Sequence, residues 1–374
     1  MTDKIKNLFR VELRDLSRVK SRDLSRAKSR DLSRAKSRDL SRAKSRDKKL
    51  IVILGPTATG KTKLAVKLAS KFGGEIISAD SRQVYCGMDI GTGKDLADYK
   101  LNKKFVHYYL IDVIKPTADF NVAKYQRLAY AAIDDVLRRA KLPLLVGGTG
   151  LYLDAVIRGY NFVDVIPTGA TTGSGVEGSL SYLQRRDSSM RSFHSLSRND
   201  IRKALDKLTL AQLLVRLKKI DLATYDKIDK KNRRRVQRAL EIYYQTSKRK
   251  SETDKMSAPD YDILILGIKY PLEKIYQKID SRLKTRLKEG LIEEIKKLHR
   301  QGVSWKRLDE FGLEYRYVSR YLRGLLSYEQ MLEQLENAIH HFAKRQLTWF
   351  KRNKDIIWLN DYRSAEKLVK DFLL

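Results

Sequence analysis

From Lys48 onward, short apolar runs alternate with amphipathic stretches. The runs are Leu50–Leu54, Ile76–Ser78, His107–Val113, Leu142–Val146, Ile263–Ile268 and Ile356–Leu359. Continuous rather than alternating apolarity marks strands covered on both faces. Between them, Lys63–Phe72 and Asn121–Ala140 carry helical patterns. Strands alternating with helices predict an α/β class, with a parallel sheet wound on both faces. The strand signal vanishes from about residue 160 to 260. That stretch opens on the Gly/Ser/Thr-rich PTGATTGSGVEGSLS, expected to be a loop, and continues as basic helical segments through Lys250. From Leu272 to Lys351 the pattern is again mostly helical, rich in Arg, Tyr and Trp. The expected organisation is an α/β core from 49–160 and 262–374 with C-terminal helices, and a mainly helical insertion at 161–261.

Residues 14–45 repeat an octamer, RDLSRVKS once and RDLSRAKS three times. One leucine per eight residues matches no helical period, and so polar a segment cannot bury a core. Residues 1–48 are therefore expected to be a disordered basic extension. The regular Asp argues against an acid-poor transit peptide.

Charge sharpens the picture. The 374 residues include 78 Lys+Arg against 45 Asp+Glu, a formal +33. A field of that size favours a polyanionic partner such as nucleic acid. Cys86 is the one cysteine, which excludes an intramolecular disulfide and any zinc finger needing two or more cysteines. A reducing, cytoplasmic setting is expected. The five histidines show no metal-ligand spacing with carboxylates. No apolar run reaches the 18 residues of a membrane span.

The stretch GPTATGKT, Gly55–Thr62, follows the first strand directly and opens a helix. It fits G-x-x-x-x-G-K-[ST], a loop whose backbone N–H groups cradle phosphate. The helix N-terminus adds to the attraction, Lys61 supplies a point charge, and Thr62 can ligate magnesium. The expected fold is thus a P-loop NTPase-like parallel sheet with a helical insertion.

Other segments gather at the same rim. EIISADSRQVY ends a strand at Asp80, where ligands bind in open α/β sheets. By position it is equally a catalytic carboxylate, a metal ligand or a turn and cap residue. LPLLVGGTGLYL ends a strand in Gly147 and Gly148, where a hydrolytic NTPase usually places an acidic residue. NRRRVQRALEIYY is helical, with Arg234 and Arg238 on one face, suited to phosphate oxygens or to a solvated basic surface. FGLEYRYVSRYL and HHFAKRQLTWFKR interleave basic and aromatic residues, a pattern shared by RNA-binding surfaces and buried aromatic helices.

GPTATGKT, ISADSRQVY with GMDIGTGK, PLLVGGTGLY, NRRRVQRALEI, GLEYR and AKRQLTWF, in this order, resemble the tRNA dimethylallyltransferases of bacterial type. The likeness spans about Leu50 to Leu359. It implies that Gly55, Pro56, Thr57, Ala58, Thr59, Gly60, Lys61 and Thr62 hold the diphosphate of dimethylallyl diphosphate, with Mg2+ near Thr62. The implied acceptor is the exocyclic amine of the adenine 3′ of the anticodon in tRNAs reading codons that begin with U. The resemblance makes Asp80 the general base, and has Thr57 bond the oxygen bridging carbon and phosphorus. Arg316 then meets the departing charge. Asp80, Ser81, Arg82, Gln83 and Thr149 are implied to touch the flipped base or its neighbours. Arg234, Arg235, Val236, Gln237 and Arg238 are implied to contact the tRNA strand. A monomer binding the anticodon stem-loop, away from any membrane, is expected.

The octapeptide extension departs from the family pattern. In DLATYDKID, Leu222 stands where a proline usually follows the aspartate. The rival reading is a small-molecule or nucleotide kinase using ATP on the same loop.

Overall fold

The computed structural model describes residues 48–101, 104–162, 198–253, 257 and 259–374. The octapeptide repeat and the Gly/Ser/Thr-rich stretch lie outside the described residues.

Six strands form one parallel sheet. They are β1 (Lys49–Leu54), β2 (Gly74–Ser78), β5 (Tyr108–Tyr109), β6 (Leu142–Gly147), β7 (Asp262–Ile268) and β8 (Ile357–Leu359). Their order is β5-β2-β6-β1-β7-β8. A two-stranded hairpin, β3 (Lys100–Leu101) with β4 (Lys104–Phe105), stands apart. β1 runs through the centre, paired with β6 from Ile51↔Leu144 and with β7 from Lys49↔Asp262. Its side chains alternate between two cores. Leu50, Val52 and Leu54 meet α2 (Val122–Arg138) and α3 (Gly150–Arg158). Ile51 and Ile53 meet α1 (Lys61–Phe72) on the other face. Burial on both faces explains the unbroken apolar runs.

The run His107–Val113 yields only the two paired residues of β5. Leu110 and Asp112 adopt left-handed backbone, with φ of 63° and 56°, which breaks the ladder. The chain instead bonds to the loop after β2, with Asp112 N–H donating to Gln83 O and Val113 N–H to Val84 O.

The insertion contains α4 (Arg198–Asp206), α5 (Leu210–Ile220), α6 (Leu222–Lys227), α7 (Arg233–Thr246) and α8 (Lys250–Thr253). It has its own core around Leu205, Leu213, Leu217, Val236 and Leu240. Buried Asp221 is its internal tie. Its carboxylate accepts from Thr224 N at 3.0 Å, Thr224 Oγ1 at 2.6 Å, Ser251 N at 3.0 Å and Ser251 Oγ at 2.8 Å. Asp221 is the N-cap of α6 and Leu222 its first residue, the position where proline costs no hydrogen bond. That explains both the usual proline and the tolerance of leucine.

The C-terminal helices are α9 (Leu272–Lys288), α10 (Leu291–Arg300), α11 (Trp305–Phe311), α12 (Leu313–Leu322), α13 (Tyr328–Phe350) and α14 (Tyr362–Leu373). The first five share a core with Val84, Tyr85 and Met88 from the loop after β2, while α14 packs beside α1. These helices thereby wall the C-terminal rim of the sheet.

At the opposite end of the sheet sits a buried carboxylate. Glu75 accepts from Arg139 at 2.7 and 2.6 Å, from Lys141 at 2.6 Å and from Tyr109 Oη at 2.9 Å. Burial opposes its ionisation, but the bonds from Arg139, Lys141 and Tyr109 outweigh it and hold the carboxyl at about 2. A depressed carboxyl stabilises the fold above its unfolded value and loses that contribution as pH falls through the folded one. Glu75→Gln is expected to destabilise by on the order of 2 kcal/mol at pH 7. The gap from wild type should close between about pH 4.5 and about pH 2. Thermal unfolding of both proteins across that window is the check, and a gap that does not change with pH refutes the assignment.

Candidate active site

The phosphate loop joins β1 to α1 through residues that bend it. Gly60, the N-cap of α1, has φ of 80°, where a side chain would be strained although nothing crowds it. Thr59 Oγ1 and Lys61 Nζ both donate to Pro56 O, at 2.8 and 2.6 Å. The first N–H groups of α1 have no acceptor within the helix and are free to meet an anion.

The other rim strands end close by. After β2, Asp80 Oδ1 accepts from Arg82 N at 2.8 Å and Gln83 N at 3.3 Å, an Asx turn that fixes its carboxylate. Ser78 Oγ donates to Gln83 Oε1 at 3.1 Å, and Gln83 Nε2 donates to Gly93 O at 3.1 Å. Thr149 Oγ1 accepts from Ser81 N at 3.2 Å. A Cβ on Gly147 would lie 2.2 Å from Ala79 O, so contact with the neighbouring segment excludes any side chain there. This is why β6 ends in glycine rather than in an acid.

Helix α13 locks this rim. Gln346 Oε1 accepts from Thr57 N at 2.9 Å, and its Nε2 donates to Gly148 O at 2.7 Å. One turn on, Trp349 lies over Gly150 and donates from Nε1 to Asp154 Oδ2 at 2.8 Å. The AKRQLTWF and VGGTGLY segments are thus two sides of one packing contact. The GMDIGTGK loop is held likewise. Glu294 accepts from the backbone N–H groups of Asp89, Ile90 and Gly91, and Tyr315 Oη donates to it at 2.8 Å.

Two cavities meet at this rim. One of about 300 Å³ is lined by Thr57, Lys61, Thr62, Asp80, Asp95, Asp98 and Arg282. The other, of about 270 Å³, is lined by Thr57, Asp80, Ser81, Arg82, Thr149, Arg282, Arg316 and Arg345. Thr57, Asp80, Thr92 and Arg282 belong to both, and so form the shared wall. Arg282 donates to Thr57 Oγ1. Burial and the adjacent Arg286 push the Arg282 guanidinium down to about 10. Burial and Arg282 push Lys61 down to about 8, against the pull of Asp80. The site is crowded with cations in a poorly solvated place.

Most of the residues singled out in the sequence come together here. Arg316 lines the second cavity and not the first, with Nε 3.0 Å from Asp309 O. Arg82 stacks its guanidinium 5.5 Å from the Phe311 ring. In α7, Arg234 and Arg235 are exposed, and Arg238 bonds Glu241 at 3.2 Å. Val236 and Gln237 face the insertion's interior, where Gln237 Nε2 donates to Asp206 Oδ1 at 2.7 Å. Three site residues escaped the sequence reading: Arg282, Arg286 and Gln346. Each had a signal. Arg282 and Arg286 continue the buried series Ile275 and Ile279 at helical spacing, and Gln346 continues Ile339 and Ala343. A polar residue on an apolar stripe is the mark of a site.

Among the described residues no cluster of three or more His, Cys, Asp or Glu side chains is arranged to hold a metal. The first cavity nonetheless supplies oxygen donors from Thr62, Asp80, Asp95 and Asp98 beside the phosphate loop. Such hard donors suit a magnesium ion that takes further ligands from a bound diphosphate. No helix among the described residues is long and apolar enough to cross a membrane.

A sequence model of the IPP transferase family matches residues 83–353. The tRNA dimethylallyltransferase 1 of Syntrophus aciditrophicus is 41% identical over 329 residues, 86% of this chain and 98% of its own. The tRNA dimethylallyltransferase of Treponema pallidum is 41% identical over 305 residues, 81% and 86% of the two chains. Among solved structures, the tRNA isopentenylpyrophosphate transferase of Bacillus halodurans aligns with a TM-score of 0.58 at 32% identity, covering 87% of this chain and 97% of its own. A eukaryotic dimethylallyltransferase captured crystallographically acting on tRNA gives 0.67 at 27% identity, covering 87% and 79%. With the phosphate loop, the Asp80 turn and the GGTG rim in place, these likenesses make the chain a member of the IPP transferase family, the tRNA dimethylallyltransferases.

Proposed function

We propose that the protein transfers the dimethylallyl group of dimethylallyl diphosphate to the exocyclic amine of the adenine 3′ of the anticodon, in tRNAs that read codons beginning with U. The observation that carries this reading is the shared wall. A phosphate cradle lies on one side, a chamber for a flipped base on the other, and Thr57, Asp80 and Arg282 stand between them.

The chemistry follows from that placement. The adenine amine is a weak nucleophile because its lone pair is delocalised into the ring. Asp80 accepts a proton from it as the new nitrogen–carbon bond forms, its carboxylate held by the backbone of Arg82 and Gln83. The carbon–oxygen bond to the diphosphate breaks, and the electron pair leaves with the diphosphate. Lys61, Arg282 and the loop N–H groups meet the added negative charge. Thr57, with its hydroxyl against Arg282, is placed to bond the bridging oxygen. Arg282 takes the leaving-group role that the sequence reading gave to Arg316. Arg316, in the base-side chamber, faces the RNA. Thr62 with Asp95 or Asp98 would hold magnesium, which when bound neutralises part of the diphosphate charge. Ser81, Arg82 and Thr149 shape the base chamber, while Gln83 lines the phosphate side and holds the Asp80 turn. Arg234, Arg235 and Arg238 grip the strand outside it, while buried Val236 and Gln237 hold α7 in place. The proposed enzyme is a cytoplasmic monomer, and one chain contributes every residue lining both chambers.

The decisive experiment incubates unmodified tRNA reading a UNN codon with the protein, magnesium and dimethylallyl diphosphate, beside a tube holding ATP alone. Nucleoside mass spectrometry should find one five-carbon prenyl group on the adenine beside the anticodon. Phosphate release from ATP without prenylation would return the loop to a kinase-type role.

Asp80→Ala is expected to lower kcat by about 10²–10⁴ while leaving tRNA affinity within about threefold. Single-turnover rates and binding titrations separate the two, and equal loss of both would make Asp80 a binding residue.

Lys61 carries a pH signature. It loses its proton near pH 8 in the free enzyme, and diphosphate binds the protonated form. Diphosphate affinity should therefore fall by up to about tenfold per pH unit above about 8. Calorimetric titration from pH 7 to 10 should show this slope in the wild type and lose it in Lys61→Gln.

A further inference from the structure

A third cavity, of about 400 Å³, opens where the insertion meets the core and shares no lining residue with the other two. Its walls include Arg158 at the end of α3, Arg235 on α7, Arg352 just past α13, and the aromatic rings of Tyr160 and Trp349. Asp154 is the one carboxylate among its lining residues, 3.8 Å from Arg158 and already bonded to Trp349. Three guanidinium groups against one carboxylate leave a surplus of positive charge. Arg352 rests 5.7 Å from the centre of the Trp349 ring. Guanidinium groups set beside rigid rings are the chemistry that receives a phosphate and a stacked base of single-stranded RNA. The ring is rigid because Gly150 lets it approach closely and Asp154 holds its N–H.

Its place in the fold gives the cavity a further meaning. Trp349 is one helical turn beyond Gln346, which touches the phosphate loop and Gly148. Three residues advance about 4.5 Å along the axis, so the aromatic wall of this cavity adjoins the residue that holds the phosphate loop. Arg235 belongs to the segment assigned above to the tRNA strand.

Resting on the dimethylallyl-transfer reading, we propose that this cavity holds a second nucleotide of the anticodon loop, near the flipped adenine. Its phosphate meets Arg158, Arg235 and Arg352, and its base lies against the Trp349 and Tyr160 side. The core and insertion would then grip one loop at two points, so that the target adenine is positioned by its neighbour as well as by its own chamber.

Arg352→Ala and Arg158→Ala test this, with an anticodon stem-loop RNA as the probe. Each should raise the KM for the stem-loop about tenfold, leave kcat at saturating RNA and the KM for dimethylallyl diphosphate unchanged, and reduce the salt slope of RNA binding by about one. An abasic scan of the loop should find one position whose base matters to the wild type and no longer matters to Arg352→Ala. Unchanged RNA affinity and salt slope in both variants would overturn the proposal, as would an equal loss of donor affinity, which would mean general damage to the rim. A titration with a free nucleoside triphosphate covers the other source of the same chemistry. Its binding here, lost in Arg352→Ala while stem-loop affinity stands, would also overturn the RNA occupant. Failure of the wild type to prenylate any stem-loop would strike the function reading alone, because direct binding measured without donor still decides the subsite.

Discussion

The side-chain amide of Gln346 is the contact on which the rest of the site depends. It takes the Thr57 N–H of the phosphate loop with its oxygen and gives its own N–H to Gly148 O of the neighbouring strand end. Gly148 permits this approach, because a Cβ there would lie 2.6 Å from that same amide and 3.3 Å from Gly55 O. Losing the amide would leave the buried Gly148 carbonyl unpaired, at a cost of about 1–3 kcal/mol, and the half-buried Thr57 N–H without its partner. It would also release Thr57, whose hydroxyl Arg282 holds from the opposite side. A residue 289 positions away in sequence thus sets the loop's position.

That dependence runs outward through the whole C-terminal half. Helix α13 is positioned by α9 and α12, which pack in one core with the loop after β2. The same helices carry Arg282, Arg286 and Arg316 to the rim, and Glu294 on α10 clamps the GMDIGTGK loop that closes the first cavity. The sheet supplies a rigid edge of strand ends, and the helices complete the chambers over it. Neither part alone encloses a substrate.

This division explains what could be read from the sequence. The buried strands announce themselves because both faces of β1, β6 and β7 meet apolar helices, leaving no polar alternation. The phosphate loop is legible because its geometry is local, a strand, a glycine turn and a helix start within a dozen residues. The extent of β5 was not legible, since left-handed Leu110 and Asp112 end it through bonds to a loop distant in sequence. Arg282 and Gln346 were overlooked for the same reason. Their roles arise where helices cross the rim, and the local sequence shows only a polar residue on an apolar stripe. The family resemblance treats Arg234 to Arg238 as one tRNA-contacting run, whereas helical geometry sends Val236 and Gln237 inward and leaves Arg234 and Arg235 outside.

In the proposed mechanism the cations around the first cavity give the reaction its direction. Burial and the Arg282 charge hold Lys61 at about 8, and burial and the neighbouring Arg286 hold Arg282 at about 10. Such crowding costs the fold stability, and an anion relieves it. The relief is not uniform along the reaction, because the diphosphate gains one negative charge as the carbon–oxygen bond breaks. Cations fixed at the bridging oxygen, the role proposed for Arg282, would therefore stabilise the parting diphosphate more than the intact ester, and only such a difference accelerates the step. Thr57, Asp80 and Arg282 line both cavities; in the proposed mechanism Thr57 and Arg282 meet the bridging oxygen and Asp80 the amine, so opposite charges a few side chains apart would answer the two charge movements of the transfer. The unfavourable electrostatics of the free site and its catalytic capacity are one property.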